Sequence, residues 1–62
     1  MQATSFVTTD GDSITANVDF IVAIVHPKNQ NRPCQIIFAN RYYEIDRSVA
    51  ERLEVEWMGV DG

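Results

Sequence analysis

The chain has 62 residues, 45% of them hydrophobic and 23% charged, with a formal net charge of −4. That length allows a single small domain over residues 1–62, and that composition belongs to a folded chain rather than a disordered one. The acidic balance disfavours nucleic acid, whose phosphates repel it unless the few bases converge. One cysteine (Cys34) and one histidine (His26) exclude an intrachain disulfide and a structural zinc site, which takes four N or S ligands.

The first element is a hairpin. Ser5-Phe6-Val7-Thr8 is rich in β-branched and aromatic residues, and Ser13-Ile14-Thr15-Ala16 alternates. Asp10-Gly11 between them is a tight-turn signal, because glycine tolerates the positive φ such a turn needs. Val18 to Val25 then reads VDFIVAIV. As a strand it places Val18, Phe20, Val22 and Ile24 on one face and Ile21, Ala23 and Val25 on the other. Apolar groups on both faces predict a central strand covered on both sides. His26 to Pro33 is a polar loop whose two prolines and two asparagines break any ladder.

Cys34 to Phe38 is the next strand, with Cys34, Ile36 and Phe38 sharing a face. Asn40 is expected to take the turn position where φ is positive. Tyr42 to Ile45 returns, with Tyr43 and Ile45 on one face and Tyr42 and Glu44 on the other. Ser48-Val49-Ala50-Glu51 has the form of a capping box, and Val49, Ala50 and Leu53 lie on one helical face. Leu53, Val55 and Trp57 have strand spacing, whereas Val49, Leu53 and Trp57 have helix spacing. A short helix over about Ser48 to Glu54 leading into a short strand is expected. The predicted fold class is α+β, mainly β: a small antiparallel sheet of four or five strands with one short helix near the carboxy terminus.

A chain of about 60 residues buries only about 60% of its unfolded surface, and such domains lean on disulfides, metals or partner subunits. A partner is therefore expected here. One helix covers one sheet face, so the opposite face of the Val18–Val25 strand is expected to pack on a second copy through Phe20, Val22 and Ile24. No apolar run reaches the roughly 18 residues of a membrane-spanning helix. Met1-Gln2-Ala3 is not a basic segment followed by an apolar one, so no signal peptide is expected and the location expected is cytoplasmic. The lone cysteine fits a reducing compartment.

His26 is the one candidate general base, and Cys34 lies across the loop from it. A Cys–His pair could form a nucleophile. The simpler reading is a loop-edge histidine and a strand cysteine acting as a small hydrophobe, with no third orienting group evident. Asp10 and Asp12 straddle Gly11 as a calcium loop might begin. Such a loop needs a closing glutamate at its twelfth position, and Ile21 stands there if Asp10 is first. Turn chemistry is the simpler account, and neither a metal nor any other cofactor is expected. All five bases lie between Lys28 and Arg52. Lys28 and Arg32 fall in one loop and Arg41 in the next turn, at opposite ends of the sheet, so with Arg47 they are not expected to form one patch.

DGDSITANVDFIVAIV, a polar loop and CQIIFANRYYEIDRSVAERL together resemble the small flagellar FlbD-like proteins. The residues that carry the resemblance are Asp10-Gly11, Asn17 to Ile21, Ile36 to Phe38, Asn40, Tyr43 and Ser48-Val49. Arg41 stands where that family favours glycine, the His26–Pro33 loop is longer, and no long charged helix follows. The resemblance implies a non-enzymatic cytoplasmic accessory of motility. The same order of elements also resembles part of a LytTR-type DNA-binding domain, against which the acidic charge and short length count.

The function these observations predict is a small non-enzymatic protein-binding module: an accessory, adaptor or inhibitor, able to act as a homodimer. Arg41, Tyr42 and Trp57 are its candidate contact residues. The alternative is a small nucleic-acid-binding transcriptional regulator, which requires Lys28, Arg32, Arg41 and Arg47 to converge.

Overall fold

The computed structural model describes residues 2–59. Five strands and one helix follow in the order β1 (Ala3–Val7), β2 (Ser13–Asn17), β3 (Ile21–Val25), β4 (Cys34–Phe38), β5 (Tyr42–Ile45) and α1 (Arg47–Met58). The fold is α+β, mainly β. Its strands divide between two antiparallel sheets, β1-β2 and β3-β4-β5, rather than forming one.

The first hairpin forms where the sequence places it. Gly11 has φ of 92°, and the turn is closed by the Thr8 amide donating to the Asp12 carbonyl at 2.9 Å. Its five pairs run without a shift, from Ala3–Asn17 to Val7–Ser13. Thr4 and Phe6 face the core and Ser5 faces out. The hairpin is tied to the second sheet by the Thr9 amide donating to the Glu44 carbonyl at 2.9 Å.

Val18 to Val25 is not one strand. Val18–Phe20 forms a single 3-10 turn because the Asn17 side chain captures the Asp19 amide at 2.9 Å. Asparagine competes with the ladder in this way by bonding the backbone two residues on. The turn buries Val18 and leaves Phe20 68% exposed. β3 is also not central: β4 is, and β3 lies at the sheet edge. Ile21 pairs with Phe38 but Ala23 with Ile37, so Val22 is an extra residue in a bulge and stands 59% exposed. The expected two-sided covering of this segment is therefore replaced by a turn and a bulged edge.

Asn40 does not take a positive φ; among the described residues only Gly11 and Gly59 do. The β4–β5 turn closes instead through the Phe38 amide donating to the Arg41 carbonyl at 2.8 Å. β5 alternates as expected, with Ile45 buried, Tyr43 half-buried, and Tyr42 and Glu44 exposed.

The helix is longer than expected and no strand follows it. Helix spacing wins over strand spacing because it buries Leu53 fully and packs Val49 and Trp57 against the core, leaving Val55 out. Glu51, Arg52, Glu54 and Glu56 are good helix formers, and Arg52 pairs with Glu56 one turn on at 3.0 Å. The helix stops at Gly59, whose φ of 66° is left-handed and whose amide turns back to the Glu56 and Val55 carbonyls. The capping box does not form. Asp46 is the N-cap, its side chain makes no capping bond, and Ser48 is already inside the first turn.

The core is Phe6, Val18, Ile21, Cys34, Ile36, Ile45, Ala50 and Leu53. Ile36, Ile45 and Leu53 are wholly buried, and burying each such side chain contributes roughly 1.5–3 kcal/mol. Pairing places Ile21, Ile24, Ile36, Tyr43 and Ile45 on the covered face of the three-stranded sheet, and Ala23, Val25, Ile37 and Tyr42 on the other. On that outer face Val25 and Tyr42 remain exposed. No helix among the described residues is long and apolar enough to cross a membrane.

Candidate functional site

An apolar groove of about 290 Å3 lies between β2 and the β4–β5 turn. Its wall on one side is Ile14, Thr15, Ala16 and Asn17. Its other wall is Phe38, Ala39, Asn40, Arg41 and Tyr43, with Phe20 at the rim. The Tyr43 ring meets Phe6 and Phe38 edge to face, with centroids 5.9 and 6.0 Å apart. Such pairs contribute about 0.5–1.5 kcal/mol beyond area burial.

Each part of the groove has a local cause. The Asx turn at Asn17 throws Phe20 outward. The tight β4–β5 turn lifts Arg41 to the rim. Arg41 Nη1 donates to Tyr43 Oη at 3.2 Å. That bond, together with the charge attraction of the phenol oxygen, holds the Arg41 pKa above its usual value. The guanidinium, like that of any arginine, is a cation at neutral pH. Among the described residues no Asp or Glu lines the groove, and Arg41 enters no salt bridge.

The candidate contact residues do not form one patch. Arg41 is on the groove, Tyr42 is 59% exposed on the outer face of the sheet, and Trp57 is half-buried against the core. Of the candidate self-association residues, Phe20 and Val22 are exposed and Ile24 is half-buried against the core. Phe20 and Arg41, assigned to different roles from sequence, line the same groove. The bases divide: Arg32 and Arg47 flank one shallow hollow near the long loop, and Arg41 lies in the groove.

His26 and Cys34 do meet, with Sγ and Nδ1 3.8 Å apart. A third group is present as well: Glu54 Oε2 lies 3.3 Å from His26 Nε2. Sequence reasoning missed Glu54 because it placed that residue where the helix was expected to end. The cysteine is only 1% exposed, and none of the principal hollows among the described residues reaches it. A sulfur nucleophile must be reached by its substrate, and here the Cys34 sulfur is enclosed where loop, strand and helix meet. Asp10 and Asp12 flank the hairpin turn, where the Asp12 amide donates to Thr8 Oγ1 at 3.1 Å.

Comparison of the chain with family models, with curated proteins and with solved structures finds no match in any of the three.

Proposed function

We propose that the chain is a small non-enzymatic protein-binding module, an accessory, adaptor or inhibitor that acts by protein–protein contact. The observation that carries this reading is the apolar groove bordered by exposed Phe20 and by Arg41, which enters no salt bridge among the described residues. Aromatic and arginine side chains beside a preformed apolar hollow are the groups that dominate binding energy at interfaces. The proposal includes homodimer formation through the uncovered sheet face, which Val25 and Tyr42 leave partly apolar, and through Val22 at the bulged edge. The resemblance to FlbD-like proteins points to the same non-enzymatic class. A cytoplasmic setting suits the free Cys34 thiol.

Affinity capture from the source cells, with matched wild-type and Phe20→Ser bait at low and high salt, tests the reading. A discrete protein retained at high salt by the wild type and lost with Phe20→Ser is expected. Nucleic acid recovered at low salt and lost at high salt, with no such protein, contradicts it.

A further inference from the structure

We infer that the free edge of β2 receives an extended peptide segment of a partner protein, which adds a strand to the hairpin and places an acidic side chain against Arg41. This inference rests on the protein-binding reading and specifies its ligand.

The hydrogen-bond phase of the hairpin carries the first step. The Thr8 amide donates to the Asp12 carbonyl, and the Val18 amide to the Gln2 carbonyl, at the two ends of the ladder. Counting in twos between them makes Phe6–Ile14 and Thr4–Ala16 the bonded pairs, and Ser5–Thr15 and Ala3–Asn17 the non-bonded ones. The backbone groups of the non-bonded pairs point away from the partner strand. On the β1 side this is visible, because the Ser5 carbonyl accepts from Arg52 Nη2 at 2.7 Å. On the β2 side the same phase turns the Thr15 amide and carbonyl and the Asn17 amide outward. Among the described residues no backbone bond takes them up.

The groove lies along that edge, since it is lined by consecutive β2 residues and by none of β1. The two outer edges therefore differ. On β1 the helix takes up the Ser5 carbonyl through Arg52, and β2 opens onto an apolar hollow. β3 is also an edge, but the bulge at Val22 blunts it, as bulges do. β2 keeps an unbroken register over five pairs.

The occupant follows from these groups. Unpaired backbone donors and acceptors on a straight edge take an extended segment by strand addition, while pockets beside the edge select alternate side chains. The wall of Phe38 and Tyr43 selects an apolar residue. Among the described residues the only charge on the groove is Arg41, so a carboxylate matches it and a lysine or arginine does not. The whole chain is acidic, so non-specific attraction would favour a basic peptide. A preference for an acidic one would have to come from this site.

The test uses the full chain and a displayed library of short random peptides. Selected peptides are expected to alternate apolar residues and to carry an Asp or Glu. Arg41→Glu should weaken them at least about ten- to a hundredfold, since it removes one charge-assisted contact and sets a like charge against the acidic side chain. Lys28→Glu, an equal change in net charge on a distant loop, should leave them within about twofold. Amide exchange of the complex should show new protection at Thr15 and Asn17. Basic or uncharged consensus peptides, equal weakening by both variants, unprotected Thr15 and Asn17, or a selection without binders would each overturn the inference. Peptides that bind elsewhere would overturn it while leaving the protein-binding reading to stand or fall by its own capture test.

Discussion

Ile36 and Ile37 are neighbours in β4 and face opposite ways. Ile36 is 0% exposed in the core, and Ile37 is half-buried on the outer face. A chain of 62 residues has roughly 3–9 kcal/mol of stability at 0.05–0.15 kcal/mol per residue, so truncation to alanine risks unfolding it. Valine is the better probe. Ile36→Val removes one buried methylene, worth about 0.8 kcal/mol in transfer, and leaves a small cavity. The expected cost is about 1 kcal/mol, within the range for this change at buried sites. In a domain of this size that lowers Tm by roughly 4–8 °C. Ile37→Val should cost less, about 0.5 kcal/mol, because part of that side chain is already in contact with water. Urea and thermal melts at the lowest workable protein concentration decide the matter. Equal costs there, or a larger cost for Ile37→Val, would refute the assigned orientation of the sheet. A cost for Ile37→Val that grows with protein concentration would report the self-association proposed for the outer face.

Ser48→Ala should change stability by less than about 0.5 kcal/mol, because Ser48 lies inside α1 where alanine is the better helix former; a loss near 1 kcal/mol in urea melts would restore the capping box. Gly59→Ala should cost about 1 kcal/mol and fray the end of α1, since φ of 66° strains an L side chain, which circular dichroism and melting can read together. Cys34 should react with iodoacetamide slowly in the native state and fast in denaturant, because its sulfur is reached only by opening of the fold; equal rates would show the thiol accessible and reopen the His26–Glu54 cluster as chemistry.

Local signals were legible where one residue type dictates the backbone. Asp10-Gly11 marks the hairpin turn, and the alternation of Tyr42 to Ile45 gives both faces of β5. Two segments misled because two rules compete there. Eight mostly apolar residues from Val18 suggest a strand, but the Asn17 side chain captures the Asp19 amide and spends three of them on a turn. Leu53, Val55 and Trp57 fit a period of two, yet the core needs Leu53 and Trp57 on one side, which only the helix provides. The groove could not be read from sequence, because β2 and the β4–β5 turn meet only after the two sheets pack. Glu54 likewise reaches His26 across 28 residues of chain. Arg41 and Phe20 stood out as residues, while their common hollow is a product of tertiary structure.

The open edge of β2 is the claim on which the proposed binding mode most depends, and amide hydrogen exchange of the free protein tests it directly. The hydrogen-bond phase predicts slow exchange at Ile14 and Ala16 and fast exchange at Thr15 and Asn17. Equal protection of all four amides would mean that the edge is already covered, and slow exchange at Thr15 and Asn17 with fast exchange at Ile14 and Ala16 would reverse the phase; either result would contradict the account.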